Sequence, residues 1–140
     1  TDQIKAVASG ECGVALSNTY YVARLMRSNK PDERNVMEQV GVIFPNQQSW
    51  GTHVNVAGGA VARHAKNRAA AISFLEYLAS DDAQRYFADG NNEWTAVPNV
   101  TVNNPALNAL GKFRYDGQNV AALGKNQPLA QKIFDRVGWK

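Results

Sequence analysis

The sequence predicts an α/β fold, and three observations support this prediction. Short apolar runs alternate with helix-like segments in the first half of the chain. The second half is dominated by amphipathic helical patterns that begin at residues suited to capping. The composition, 44% hydrophobic and 19% charged over 140 residues, is that of a globular domain and excludes disorder, collagen and coiled coil.

The strands are predicted from apolar runs without helical periodicity. The run CGVAL has the small, apolar character of a buried parallel strand, and THVNVAGGAV alternates only in part. The predicted strands are residues 12–16, 38–45, 52–61 and 93–97. A doubly wound sheet usually has about five strands or more, so the sheet is predicted to be incomplete.

The helices are predicted from periodicity and from their start and stop signals. Ser80 precedes two aspartates in a first turn, where the helix dipole favours acidic side chains. Asn104-Pro105 opens a short helix, and Pro128 is expected to begin the last one. The other predicted helices are residues 2–9, 20–28 and 67–79, with residues 29–31 ending the second.

Charge and motifs exclude several functions. The net charge is +3 and the aromatic residues are scattered rather than interleaved with lysine and arginine, which argues against nucleic-acid binding. The signatures GxSxG, GxxxxGK[ST], GxGxxG, HExxH and CxxC do not occur. His53 and His64 lie on different predicted elements, and neither is expected to bind a metal. The single cysteine, Cys12, is expected either as a buried thiol or in a disulfide with a segment outside this chain.

The residues most suggestive of chemistry are Tyr20 and Tyr21, which follow a predicted strand and begin a helix behind Asn18 and Thr19. Ligands of α/β sheets bind at the carboxyl ends of strands. On a first helical turn, adjacent tyrosines are about 100° apart, so their hydroxyls could converge on one ion. The alternative is an amphipathic pair with one ring in the core and one at the surface.

The chemistry of a phenol narrows the ion that such a pair could bind. A phenol has a pKa of about 10, so at neutral pH it loses its proton to solvent only when a strong, hard Lewis acid binds the oxygen in its place. Ferric iron fits this requirement, whereas zinc favours His and Cys and calcium favours carboxylates. The positive end of the helix dipole would stabilise both phenolates and a bound anion.

Two stretches carry a family resemblance: ECGVALSNTYYVARL, and the longer VGVIFPNQQSWGTHVN…NNEWTAVPNV. Together they resemble the C-terminal half of the periplasmic ferric-iron-binding proteins of ABC importers. The resemblance is strongest at NTYY, GTHVN, SDDAQ and NNEWTAVPNV, and their order is more specific than any one of them. It implies a class II periplasmic-binding, transferrin-like fold with its N-terminal half missing. Residues 1–50 would then finish one lobe, and residues 51–140 would form the crossing strand and helices on the other lobe and hinge.

Carried over by position, the resemblance makes Tyr20 and Tyr21 phenolate ligands of Fe³⁺ and makes Asn18 a contact of a synergistic anion. Glu93 is expected to hydrogen-bond around the site or at the hinge, and Trp94 replaces the family's usual tyrosine there. The remaining ligands are expected in the missing half.

The implied function is a periplasmic or membrane-anchored binding protein, monomeric when complete, that delivers ferric iron to an inner-membrane ABC permease. A metal-free binding protein for an anion or small organic solute remains an alternative within the same fold. A second alternative is an enzyme that uses Tyr20 or Tyr21 as general acid or base. It is disfavoured because no basic residue or carboxylate adjoins the pair in sequence.

Overall fold

The computed structural model describes residues 1–139, and this part of the chain contains seven α-helices. In chain order they are α1 (Asp2–Ala8), α2 (Thr19–Met26), α3 (Pro31–Glu38), α4 (Arg68–Leu78), α5 (Asp81–Asn91), α6 (Pro105–Leu110) and α7 (Val120–Val137). Within residues 1–139, no helix has both the length and the apolar composition that crossing a membrane requires.

Contacts divide the chain into two compact units. Unit 1 comprises Thr1–Ile43 and Val56–Lys112, and unit 2 comprises Phe44–Asn55 and Phe113–Lys140. The break that the sequence predicted near residue 50 therefore lies inside unit 2. The assignment of residues 1–50 and 51–140 to the lobes of a larger protein stays a prediction.

The core of unit 1 is built around α2. Ile4 of α1 packs with Val22 and Leu25, while Ala23 packs with residues of α6. Burial of a leucine side chain such as that of Leu25 contributes about 1.5–3 kcal/mol. Because both clusters contact the same helix, α2 is held between α1 and α6.

Hydrogen bonds also fix the end of α2. Arg27 Nη1 donates to the carbonyl oxygen of Asp89 (2.6 Å) and to Oδ1 of Asn92 (2.7 Å). Asn104, which is buried, donates from Nδ2 to that same Asn92 oxygen and to the carbonyl of Ala88, at 2.9 Å each. The C-terminal ends of α2 and α5 are thereby joined through polar side chains.

In unit 2, two segments distant in the sequence run side by side. Thr52 and Tyr115 form a parallel β-bridge, and Phe44 stacks on Phe113 with ring centroids 4.3 Å apart. Gly51 adopts a φ of +97°, and a Cβ at this position would lie 2.6 Å from the backbone of Tyr115. Glycine is therefore required there by both conformation and space.

The predicted helices 2–9, 20–28 and 67–79, and those that begin after Ser80 and Asn104, are confirmed to within a few residues. Helix α3 was not predicted, although Pro31 at its first position and the acidic Asp32 and Glu33 are helix-start signals. The predicted start of α7 was also too late. That helix begins after Asn119, whose Oδ1 accepts a hydrogen bond from the Ala121 N–H, and it continues through Pro128.

The four predicted strands do not form a ladder within residues 1–139, where the Thr52–Tyr115 bridge is isolated. Residues 38–45 begin inside α3, and residues 93–97 form a loop after α5. Val14, Leu16 and Ile43 are 84–85% exposed. A strand requires a neighbouring strand for its backbone hydrogen bonds, and the described segments do not supply one here.

Candidate metal-binding site

The tyrosine pair lies on the first turn of α2. Asn18 is the N-cap residue, with φ −73° and ψ 142°, so Tyr20 and Tyr21 are the second and third residues of the helix. The buried residues Val22, Ala23 and Leu25 anchor the helix. A firmly packed helix thus presents the two phenols.

The two phenol groups lie against each other. Their ring centroids are 4.4 Å apart, with the ring planes tilted by 48°. Both tyrosines are half-buried, and Tyr21 also packs against the Ile4–Val22–Leu25 cluster. The arrangement is therefore not one core ring and one surface ring; it places two phenol side chains against each other.

This proximity raises the pKa of Tyr21 above its ordinary value. The largest cause is its hydrogen bond with Tyr20, followed by the charge of the Tyr20 phenolate and by desolvation; the Arg24 guanidinium opposes them. Two phenolates at this separation repel each other. A bound cation would remove the penalty by neutralising both charges.

Two further side chains contact the tyrosine pair. Asn18 Nδ2 donates a hydrogen bond to the Tyr20 hydroxyl oxygen at 3.1 Å. Arg24 Cζ lies 5.5 Å from the centroid of the Tyr21 ring, within the range of a cation–π contact. Arg24 does not adjoin the pair in the sequence, and it was not predicted as part of the site. Helical periodicity could have found it, because residues three apart share a face.

The other predicted residues are placed separately from one another. Glu93 is half-buried in the loop that follows α5, and His64 is exposed in the segment before α4. His53, in unit 2, pairs with Asp116 through a 3.0 Å contact between Nδ1 and Oδ2. Cys12 is a half-buried free thiol. The full burial expected of Cys12 is therefore not seen, and a disulfide with a segment outside this chain stays a prediction.

The usual nitrogen, sulfur and carboxylate ligands do not cluster in the described chain. Among residues 1–139, no group of three or more His, Cys, Asp or Glu side chains is arranged to hold a metal ion. The phenol pair on α2 is therefore the strongest candidate for a metal site here, and its donor set suits a hard, highly charged cation.

Comparison with known proteins places this geometry in context. The chain is 50% identical over 142 residues to iron uptake protein A2 of Synechocystis, covering 100% of this chain and 41% of the relative. It superimposes on a Trichodesmium FutA structure in complex with iron and citrate with a TM-score of 0.91 and 49% identity. For a ferric binding protein from Campylobacter jejuni the TM-score is 0.90 and the identity 35%.

The two solved structures show the α/β periplasmic-binding fold that the sequence predicted. This chain is covered to 99% in both, but it spans only 44% of each solved chain. The family model for the bacterial extracellular solute-binding proteins matches residues 1–85, which is more than half of the sequence. This agrees with the prediction of a binding protein rather than an enzyme. The chain belongs to the bacterial extracellular solute-binding protein family.

Proposed function

We propose that the whole protein binds ferric iron for uptake and that Tyr20 and Tyr21 are two of its ligands, as phenolates. The observation that carries the proposal is the contact between the two phenol rings, whose centroids lie 4.4 Å apart at the first turn of α2. One metal ion that displaces both phenol protons would bring the two oxygens onto the same cation.

The charge balance favours a trivalent ion. Two phenolates leave Fe³⁺ with one net positive charge, and the N-terminal end of α2 adds a partial positive potential that suits an accompanying anion. The names of the relatives also support ferric iron with an accompanying anion, since they describe iron uptake, ferric binding, and one complex with iron and citrate. We therefore include a small anion, with Asn18 as its contact, in the proposed site.

The other elements of the proposal follow from the family. A solute-binding protein hands its cargo to an ABC permease, so delivery to an inner-membrane permease from the periplasm is proposed, with the protein as a monomer. Further iron ligands are proposed to come from other segments of the whole protein. Glu93, half-buried after α5, is proposed to hydrogen-bond near the site or at the hinge.

Visible absorption tests the ligand assignment, because charge transfer from phenolate to Fe³⁺ gives colour. Tyr20→Phe and Tyr21→Phe each keep the ring and its packing. Each is expected to weaken or shift the band and to lower iron affinity by several orders of magnitude, because a compensating charge is lost. Tyr86→Phe, at a side chain that is 79% exposed, is the matched control.

The double variant, Tyr20→Phe with Tyr21→Phe, is expected to lose the band entirely while it keeps its circular dichroism spectrum. A folded double variant that stays coloured and iron-loaded would contradict the proposal. The metal-free binding protein would then be the better explanation of the fold.

A further inference from the structure

Asn18 occupies a capping position without capping its helix. Asn119, with φ −69° and ψ 124°, has almost the same backbone conformation as Asn18, and its Oδ1 accepts a hydrogen bond from the first turn of α7. Asn104 does the same for α6, with two such bonds. Among the hydrogen bonds of residues 1–139, the Asn18 side chain accepts none from the N–H groups of α2; only its backbone carbonyl oxygen does, from the Tyr21 N–H at 3.2 Å. Its backbone permits the cap, yet its side chain points elsewhere.

The Asn18 amide is directed to Tyr20 instead. Nδ2 lies 3.1 Å from the Tyr20 hydroxyl oxygen, and an amide nitrogen can only donate. The Tyr20 oxygen therefore accepts from Asn18 while the Tyr20 ring lies against that of Tyr21. If a metal displaces the Tyr20 proton, the Asn18 donor remains in place.

We infer that Asn18 is a positioning residue for the metal site, which holds the Tyr20 oxygen as a ligand by donating a hydrogen bond to it. The inference rests on the proposed iron-binding function and extends it. Hydrogen bonds to charged groups are stronger than those to neutral ones, so this bond strengthens when Tyr20 becomes a phenolate. In this arrangement α2 lacks the side-chain capping hydrogen bond that Asn18 could otherwise accept, which makes the helix less stable.

The test uses Asn18→Ser in the whole protein. Serine is as good an N-cap as asparagine, so α2 keeps or gains stability, but the short hydroxymethyl group cannot replace the amide at Tyr20. Loss of a hydrogen bond to a charged group is expected to lower Fe³⁺ affinity about tenfold or more, measured by competition with citrate. The Asn18 hydrogen bond lowers the energy of the lone-pair orbitals on the phenolate oxygen. Without it these orbitals rise toward those of the metal, so the charge-transfer band is expected to move to longer wavelength.

Asn119→Ser makes the same change at a residue that caps its helix, and it is expected to alter neither iron affinity nor the band. An unchanged band and affinity in Asn18→Ser, with colour still lost in the double phenylalanine variant, would overturn the role of Asn18 and leave the proposed function intact. An effect of Asn18→Ser that appears only with added citrate or carbonate would also overturn the positioning role, and it would leave Asn18 with the proposed anion contact alone. Colour that survives in the double phenylalanine variant would instead overturn the proposed function.

Discussion

Gln47 pairs with the backbone of Arg114 through both ends of its side-chain amide. Nε2 donates to the Arg114 carbonyl oxygen at 2.9 Å, and the Arg114 N–H donates to Oε1 at 2.7 Å. This is the pattern that a neighbouring strand would offer. Together with the bridge between Thr52 and Tyr115, it joins two segments of unit 2 that lie far apart in the sequence.

We expect Gln47→Ala to lower the free energy of unfolding by about 1–3 kcal/mol, because the hydrogen bonds of its amide to Arg114, Thr52 and Pro45 are lost and the Arg114 groups are left without this partner. Chemical denaturation of the whole protein measures the change. Gln48→Ala, at the adjacent exposed residue, is the control and should change stability by less than about 0.5 kcal/mol. Equal effects of the two substitutions would show that the amide pairing contributes nothing.

Gly51→Ala is expected to be more damaging. The residue has a φ of +97°, and the added Cβ would meet the Tyr115 carbonyl group at 2.6 Å, so strain and overlap together should cost about 3 kcal/mol or more. Gly117→Ala tests the same substitution where no atom lies within 4 Å, and little change in melting temperature is expected. A Gly51→Ala protein as stable as the Gly117→Ala protein would refute the close approach of the two segments.

Asn104→Ala removes a side chain that is 1% exposed and makes four hydrogen bonds. We expect a loss of about 2–4 kcal/mol, since the cap of α6 disappears and the buried Ala88 carbonyl loses its donor. Asn103→Ala, at an exposed neighbouring position, should change stability little. Urea unfolding of both variants distinguishes a structural asparagine from a surface one.

In the iron-free protein, Tyr21 is expected to ionise above the ordinary value of 10.0 because of its hydrogen bond to Tyr20. Ultraviolet titration of tyrosinate measures this, and Tyr20→Phe should return the pKa of Tyr21 toward its usual value. The native state holds the Tyr21 proton more tightly than the unfolded chain does. The contribution of Tyr21 to the free energy of unfolding is therefore fully present below pH 10, and it is lost as the pH rises through the native pKa. A Tyr21 pKa that is unaffected by Tyr20→Phe would contradict the hydrogen bond.

The helices could be predicted from the sequence because their signals are local. Ser80 accepts a hydrogen bond from the Ala83 N–H, and Asn104 caps α6, as the sequence pattern indicated. Pro31 and Pro128 show the limit of such signals. The same residue type begins α3 and lies inside α7, and the sequence analysis read the first as a stop and the second as a start.

Strand pairing and site geometry depend on contacts that are distant in the sequence. The exposed Val14 and Ile43 have the apolar character of buried strand residues, but pairing depends on a neighbour that their own sequence does not specify. The tyrosine pair was identifiable from its place at the start of a helix. The contact between Asn18 and Tyr20 was not, because an asparagine directly before a helix favours capping of that helix.

The layout of unit 2 has a consequence for the order in which the chain folds during synthesis. Gln47 and Arg114 are 67 residues apart, so at about 5–20 residues per second Gln47 is made roughly 3–13 s before its partner. Both segments of unit 1 are complete by residue 112, before the second segment of unit 2 begins at Phe113. Residues 44–55 are therefore made well before the segment that they pair with, whereas both segments of unit 1 exist before unit 2 is complete.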